Sequence, residues 1–351
     1  MGLALAGRVS SREVAAFTRL LATMVAAGLP LVHSLNVLAG QQERRRFREI
    51  VRQVVASIEA GESLAGAMRR HPGVFSELGV SMVAVGEAAG ALDTVLARLS
   101  EFLEESRVMA RKVKAALVYP AMIVAVSVPA VGIMLAIVVP TFEDIFAQTG
   151  AALPIPTRAA IAASDALRGH WWVLVAAAAA LGATLHRLRR TPRGRLATDR
   201  LLLSLPLLGG LVRKTSVARF ARSLGTLVSS GVPILQGLEV TAKTAGNRVV
   251  RDAIARSRAS IAGGATIAQP LEASGAFPPM VVRMIEVGEQ TGALDDMLHR
   301  IADLYEEEVD VALEAVVAMI EPVMIAVLGV VVGAIVVAMY LPIFEMTATV
   351  G

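Results

Sequence analysis

The chain has 351 residues, no cysteine, 55% hydrophobic and 18% charged residues, and a net charge of +4. Soluble domains average about 45–50% apolar and about 25% charged, so this chain is displaced toward membrane proteins, and disorder, a disulfide scaffold and a thiolate metal site are excluded. Aromatics at 4% argue against a stacking surface for single-stranded nucleic acid.

Taken in order, Met1–Gly7 is too short for the apolar region of a signal peptide. Residues 8–114 read as a helix bundle. Phe17, Leu20, Leu21, Met24 and Val25 fall at helical spacing, and Leu92, Val95, Leu96, Leu99, Phe102 and Leu103 make one apolar stripe. Gly28 followed by Pro30 fits a C-terminal glycine and a proline that opens the next helix. Residues 115–142 then run for 28 positions without Asp, Glu, Lys or Arg. A spanning helix needs about 20 apolar residues, so this is the first expected transmembrane helix. Pro129, mid-span, should kink it.

Residues 143–168 are expected as an external loop. Residues 169–186, 18 uncharged positions, form a marginal second span, with Trp171 and Trp172 at one end and the basic stretch Arg187–Arg195 at the other as interface anchors. The second bundle is expected over 187–320. Its stripes are Phe220, Leu224, Leu227 and Val228, then Leu294, Leu298, Ile301, Leu304 and Tyr305. A third span over 321–344 is uncharged from Pro322 to Phe344, and residues 345–351 form an external tail. Within that span Gly329-Val-Val-Val-Gly333 is a G-x-x-x-G, open to packing within the chain or against another helix.

Of the 34 basic residues, 32 fall in 1–114 and 187–321. The positive-inside rule puts those segments, and the N-terminus, in the cytoplasm and the C-terminus outside. The basic balance thus reads as topology, not as nucleic-acid binding. Arg44-Arg-Arg46 reads as a solvated face or a partner contact, and the run from Arg187 as snorkelling to anionic headgroups of the lipid bilayer.

The chain is also duplicated. Phe17-Thr-Arg-Leu-Leu-Ala-Thr-Met-Val-Ala-Ala-Gly28-Leu-Pro30 returns at Phe220–Pro233, with Gly231 in the place of Gly28. Gly86-Glu-Ala-Ala-Gly90-Ala-Leu-Asp93 returns as Gly288-Glu-Gln-Thr-Gly292-Ala-Leu-Asp295, six of eight positions identical. Pro120 aligns with Pro322, and Pro140-x-Phe142-Glu143 with Pro342-x-Phe344-Glu345. Each copy is a bundle followed by a span, and the unduplicated second span returns the chain between them. The expected fold is all-α: a polytopic membrane protein with two homologous cytoplasmic antiparallel helix bundles and three transmembrane helices.

Chemistry of the usual kinds is missing. Gly210-Leu-Val-Arg-Lys214-Thr lacks the glycine that a phosphate loop needs before its lysine, and the five histidines are scattered. Apart from Glu321 at the very start of the third, the expected spans hold no Asp, Glu, Lys or Arg for a proton relay or a transported ion. No catalytic residue, cofactor or metal ligand is assigned. The repeated corners Glu87, Gly90, Asp93 and Glu289, Gly292, Asp295 stay open to three readings. They could be helix corners with glycine at positive φ, a docking contact, or a divalent-ion site, for which two acids are few.

These features resemble the type II secretion F family, the inner-membrane platform proteins of type II secretion and type IV pilus machines. The resemblance rests on Phe-x-Arg-x-Leu-x-Thr…Gly-Leu-Pro30 and its copy, Gly86-Glu-x-x-Gly-x-Leu and its copy, Tyr119-Pro120, Pro140-x-Phe, and Leu153-Pro154 followed by Thr157. It covers about Arg12 to Phe344. Family members usually carry a further segment before the first bundle, whereas this chain starts almost directly at it. The resemblance implies a non-enzymatic platform whose bundles dock a cytoplasmic hexameric secretion or pilus ATPase. It implies contacts with pilin or pseudopilin subunits, other inner-membrane assembly proteins and further copies of the chain. The competing classes are an oligomeric membrane transporter or channel, and a membrane enzyme without a known motif.

Overall fold

The computed structural model describes residues 9–116, 118–149, 153–205 and 208–350, and every regular element among them is helical. The first bundle comprises α1 (Ser11–Ala26), α2 (Leu31–Gln41), α3 (Arg45–Glu59), α4 (Leu64–Arg69), α5 (Glu77–Ala89) and the first turns of α6 (Leu92–Ala116). Ser10 and Glu13 close a reciprocal capping box at the start of α1. At its end Gly28 takes φ +78, and the N–H groups of Gly28 and Leu29 return to the carbonyls of Val25 and Met24. That pattern satisfies two otherwise orphaned carbonyls, and Pro30 then caps α2, as the Gly-x-Pro spacing predicts. The core closes around Phe17, whose ring lies 5.4 Å from Phe47 and 6.4 Å from Phe75. Leu20, expected in the α1 stripe, is instead exposed.

The second bundle repeats this plan with α11 (Leu208–Ser229), α12 (Ile234–Thr244), α13 (Arg248–Ala262), α14 (Ala268–Ala273), α15 (Pro279–Thr291) and the start of α16 (Leu294–Val350). Gly231 takes φ +83 with the same two return bonds, from its own N–H to Val228 and from Val232 to Leu227. Phe220 packs on Phe277 at 4.8 Å, but the place of Phe47 is taken by Val250, so Phe220 meets one ring where Phe17 meets two. The two bundles form one compact unit, up to Lys112 and from Asp199 to Ala312.

A second unit contains Val113–Thr198 and the chain from Leu313 on. Here α7 (Val118–Ile133) leads through a π-helical turn, Met134–Val138, into α8 (Val139–Thr149), and α9 (Ile155–Arg190) precedes α10 (Pro192–Ser204). Pro129 sits inside α7 without ending it, and the irregularity expected there falls later, just before Pro140. A proline ring presses on the carbonyl four residues back and offers no N–H. In the wide turn the Val139 N–H reaches Met134, and the Ser164 hydroxyl donates to the Leu135 carbonyl at 2.5 Å.

Residues 143–168 are not a free loop, since α8 continues to Thr149 and α9 starts at Ile155. Thr157 is buried and donates to the Ala338 carbonyl at 2.5 Å, among Val139, Ile161, Ile335 and Met339. Tyr119 donates to Glu321 at 3.1 Å, joining equivalent positions of the two copies.

Among the described residues, Leu92–Phe146 and Leu294–Phe344 contain stretches long and apolar enough to cross a membrane. Two bent pairs also pass together, Ile155–His170 with Val175–Thr184 at 76° and Gly194–Ser204 with Gly209–Ser229 at 111°. The latter includes α11, whose Phe220, Leu224 and Leu227 are buried in bundle cores. The expected second span, 169–186, takes in Val175–Thr184 of the first pair, past the bend where His170 leaves helical geometry, whereas Ile155–His170 falls in the stretch expected as an external loop. Residues 1–8 and the side chains of Trp171, Arg189, Arg190, Arg193 and Glu345 lie outside the described residues.

Candidate functional site

Each residue of the repeated acidic corner has a local task. Glu87 sits near the end of α5, and its carboxylate accepts from the N–H groups of Leu64 at 2.5 Å and Ala65 at 2.9 Å. These are orphan donors at the start of α4, where Ser63 also accepts from Gly66. A carboxylate at a helix N-terminus gains both charge-assisted hydrogen bonds and the favourable end of the helix dipole. Glu289 does the same for the equivalent turn, with both oxygens on the Ile267 N–H at 3.0 and 2.9 Å.

Gly90 and Gly292 take φ +68 and +73, the left-handed conformation that turns α5 and α15 into the next helix. Gly86 lets those helices approach, since a Cβ there would lie 2.9 Å from the Val95 Cβ. Asp93 and Asp295 occupy the first turns of α6 and α16, Asp93 exposed and Asp295 lining a cleft.

That cleft, about 360 Å³, lies along the seam between the bundles, and of the corner residues singled out from the sequence Asp295 alone lines it. At its centre is Arg222 of α11, only 11% exposed. It meets Glu306 at 2.9 Å and Asp303 at 2.6 Å on α16, and Glu105 at 3.1 Å on α6 of the other bundle. Burial opposes the charge of Arg222, but hydrogen bonds to Glu306 and Asp303 and the charge of Glu105 hold it above an ordinary arginine. Burial raises the Glu105 carboxyl. Arg222 draws it down, Glu306, Glu101 and Asp303 push it up again, and the net direction is upward. The Arg in the repeated Phe-x-Arg motif was the available signal, because a cation recurring in an apolar stripe needs a partner.

The seam continues through Lys243 and Glu77, 2.5 Å apart, and the ion pair of Lys112 with Asp310. Leu227, Val232 and Val240 of the second bundle are buried in the apolar cluster of the first. The G-x-x-x-G of α16 is open within the chain, where a Cβ at Gly329 or Gly333 meets nothing within 4 Å. Arg44, in the first basic run, pairs with Glu13 at 2.9 Å. The described residues contain no group of three or more His, Asp or Glu arranged to hold a metal ion.

The duplication coincides with a pair of family matches. The model of the type II secretion system (T2SS), protein F, matches residues 17–140 and again 220–342. The chain belongs to the type II secretion system protein F family. Among its relatives is the type IV pilus assembly protein PilC of Myxococcus xanthus, 44% identical, with 98% of this chain and 82% of that protein covered. PilC of Thermus thermophilus is 43% identical over 96% of this chain and 83% of its own. The type II secretion system protein F of Pseudomonas aeruginosa is 37% identical, covering 99% and 86%. Within the family frame, each matched stretch is one bundle with the apolar helix that follows it.

Proposed function

We propose that this family member is a non-enzymatic, multi-pass platform of the bacterial inner membrane, coupling a cytoplasmic ATPase to assembly of pilin subunits in type IV pilus biogenesis. The observation that carries the reading is the architecture of α16. One helix supplies Leu298 and Ile301 to a bundle core and then Ile325, Val330 and Val337 to an exposed apolar surface. In this reading α16 is the element along which a push on the bundle would reach the apolar stretch, past the missing N–H of Pro322. The pilus is preferred to secretion because the pilus relatives quoted above are the more similar.

In this reading three spans cross the membrane, α9 after its bend being the return, and both bundles are cytoplasmic. The ATPase docks beside the corners, where Asp93 is exposed while Glu87 is held by backbone N–H groups. Removing the gene should abolish surface pili with pilin still made. Lost protein secretion with intact pili would assign the other machine, and no loss of either would overturn the platform reading. For topology, Ala159→Cys should react with an impermeant thiol reagent on spheroplasts and Ala259→Cys only after lysis; the reverse pattern would refute the orientation.

A further inference from the structure

The internal contact between the bundles uses unlike faces of like domains. The first bundle presents α5 and α6, with Leu78, Val85 and Glu105; the second receives them on α11 and the turn into α12, with Arg222, Gly231 and Val232. Val85 Cγ1 lies 3.6 Å from where a Gly231 Cβ would be, and Arg222 meets Glu105. By the repeat, the second bundle owns a copy of the presenting face and the first a copy of the receiving face. Among the described residues neither copy is used within the chain.

Both unused faces bear the marks of a missing cover. On the receiving side Leu29 is 40% exposed, whereas its equivalent Val232 is 3% exposed. Leu20 is 46% exposed against 5% for Ser223, and Arg19, the counterpart of Arg222, is exposed with no carboxylate bound to it among the described residues. On the presenting side Met280 is 59% exposed against 1% for Leu78, and Val287, the counterpart of Val85, is 49% exposed. Glu307, the counterpart of Glu105, is exposed and pairs with no cation among the described residues. Apolar residues exposed at matching positions of a formed interface mark an interaction surface, and opposite charges at matching positions set its register.

We propose that these faces meet between two copies of this chain: the Arg19–Leu20–Leu29 face of one copy receives the Met280–Val287–Glu307 face of another. The contact repeats between chains the one that joins the bundles within a chain. Such a contact is heterologous, so it closes into a ring or extends head to tail. It lacks one internal ion pair, because Gly40 stands where Lys243 does and Pro279 where Glu77 does, and is accordingly weaker than the internal seam. The proposal does not depend on whether the machine is a pilus or a secretion system.

The chain has no cysteine, so introduced thiols are the only ones present. Full chains carrying Leu29→Cys and Val287→Cys, each with a different tag, are co-expressed in membranes and treated with a short bis-maleimide. A covalent dimer bearing both tags is expected, and either variant alone should stay monomeric. Arg19→Glu should reduce the mixed dimer at least several-fold, and Glu307→Arg on the other copy should restore it. Both charges are exposed, so melting of these variants should match the parent. Absence of the mixed dimer, a dimer from either variant alone, cross-linking of Leu29→Cys to a different protein, or indifference to Arg19→Glu would overturn the proposal.

Discussion

The two bundles share their glycine turns and helix order yet differ in how their surfaces are used. Arg222 is enclosed by three carboxylates at a seam, while Arg19, at the same place in the first bundle, stands in solvent. Val232 is buried and Leu29 exposed for the same reason. Duplication thus fixes a domain's interior through local rules, but the role of a surface is set by what the neighbouring copy covers.

The largest expected contrast lies in the cores. Phe17 packs on two rings and Phe220 on one, so Phe17→Ala should cost about 4–5 kcal/mol and Phe220→Ala nearer about 3. Denaturant unfolding of the full chain in detergent would measure both; a larger loss at Phe220 would break the comparison. Next come the arginines. Arg222→Ala leaves partly buried carboxylates without a donor and should cost about 2–3 kcal/mol, whereas Arg19→Ala should leave melting unchanged.

The acidic corners should differ less. Glu87→Ala strands two separate N–H groups and should cost about 1–3 kcal/mol; Glu289→Ala strands one and should cost about half that. Equal losses would mean that the second bond at Glu87 adds nothing. The smallest effect concerns pH. With its carboxyl raised in the folded chain, Glu105 favours folding fully below the unfolded value of 4.5 and loses that contribution as pH rises through the folded value. Relative to the parent, Glu105→Gln should therefore gain stability from acid to neutral pH, by less than about 1 kcal/mol given its partial exposure. Urea midpoints measured across that range would check it.

Much of this was legible from the residues because it obeys short-range rules. The Gly28-x-Pro30 and Gly231-x-Pro233 turns follow from left-handed glycine and the fixed φ of proline, and the core stripes from helical periodicity. The partner of Glu87 was not legible, since Leu64 lies more than twenty positions away and only packing of α4 against α5 brings them together. Leu20 was misread because periodicity says which residues share a face, not which face is covered. The bend at His170 has no strong sequence mark, and Pro140 alone does not foretell the wide turn before it, since its twin Pro342 lies inside α16 with no such turn.

That wide turn separates two otherwise matched helix ends. Pro120 to Pro140 and Pro322 to Pro342 have identical spacing, so a uniform winding would aim Phe142 and Phe344 alike. A π turn absorbs about one extra residue, and each residue of an α-helix advances the azimuth by about 100°. Everything beyond Val138 is consequently rotated out of phase with its twin beyond Tyr340. Phe142 packs against the cluster of Val139, Ile161 and Met339, while Phe344 is 69% exposed. One loosened turn thus gives the same Pro-x-Phe triplet two different surroundings, partly buried against a neighbouring helix in one copy and largely exposed in the other.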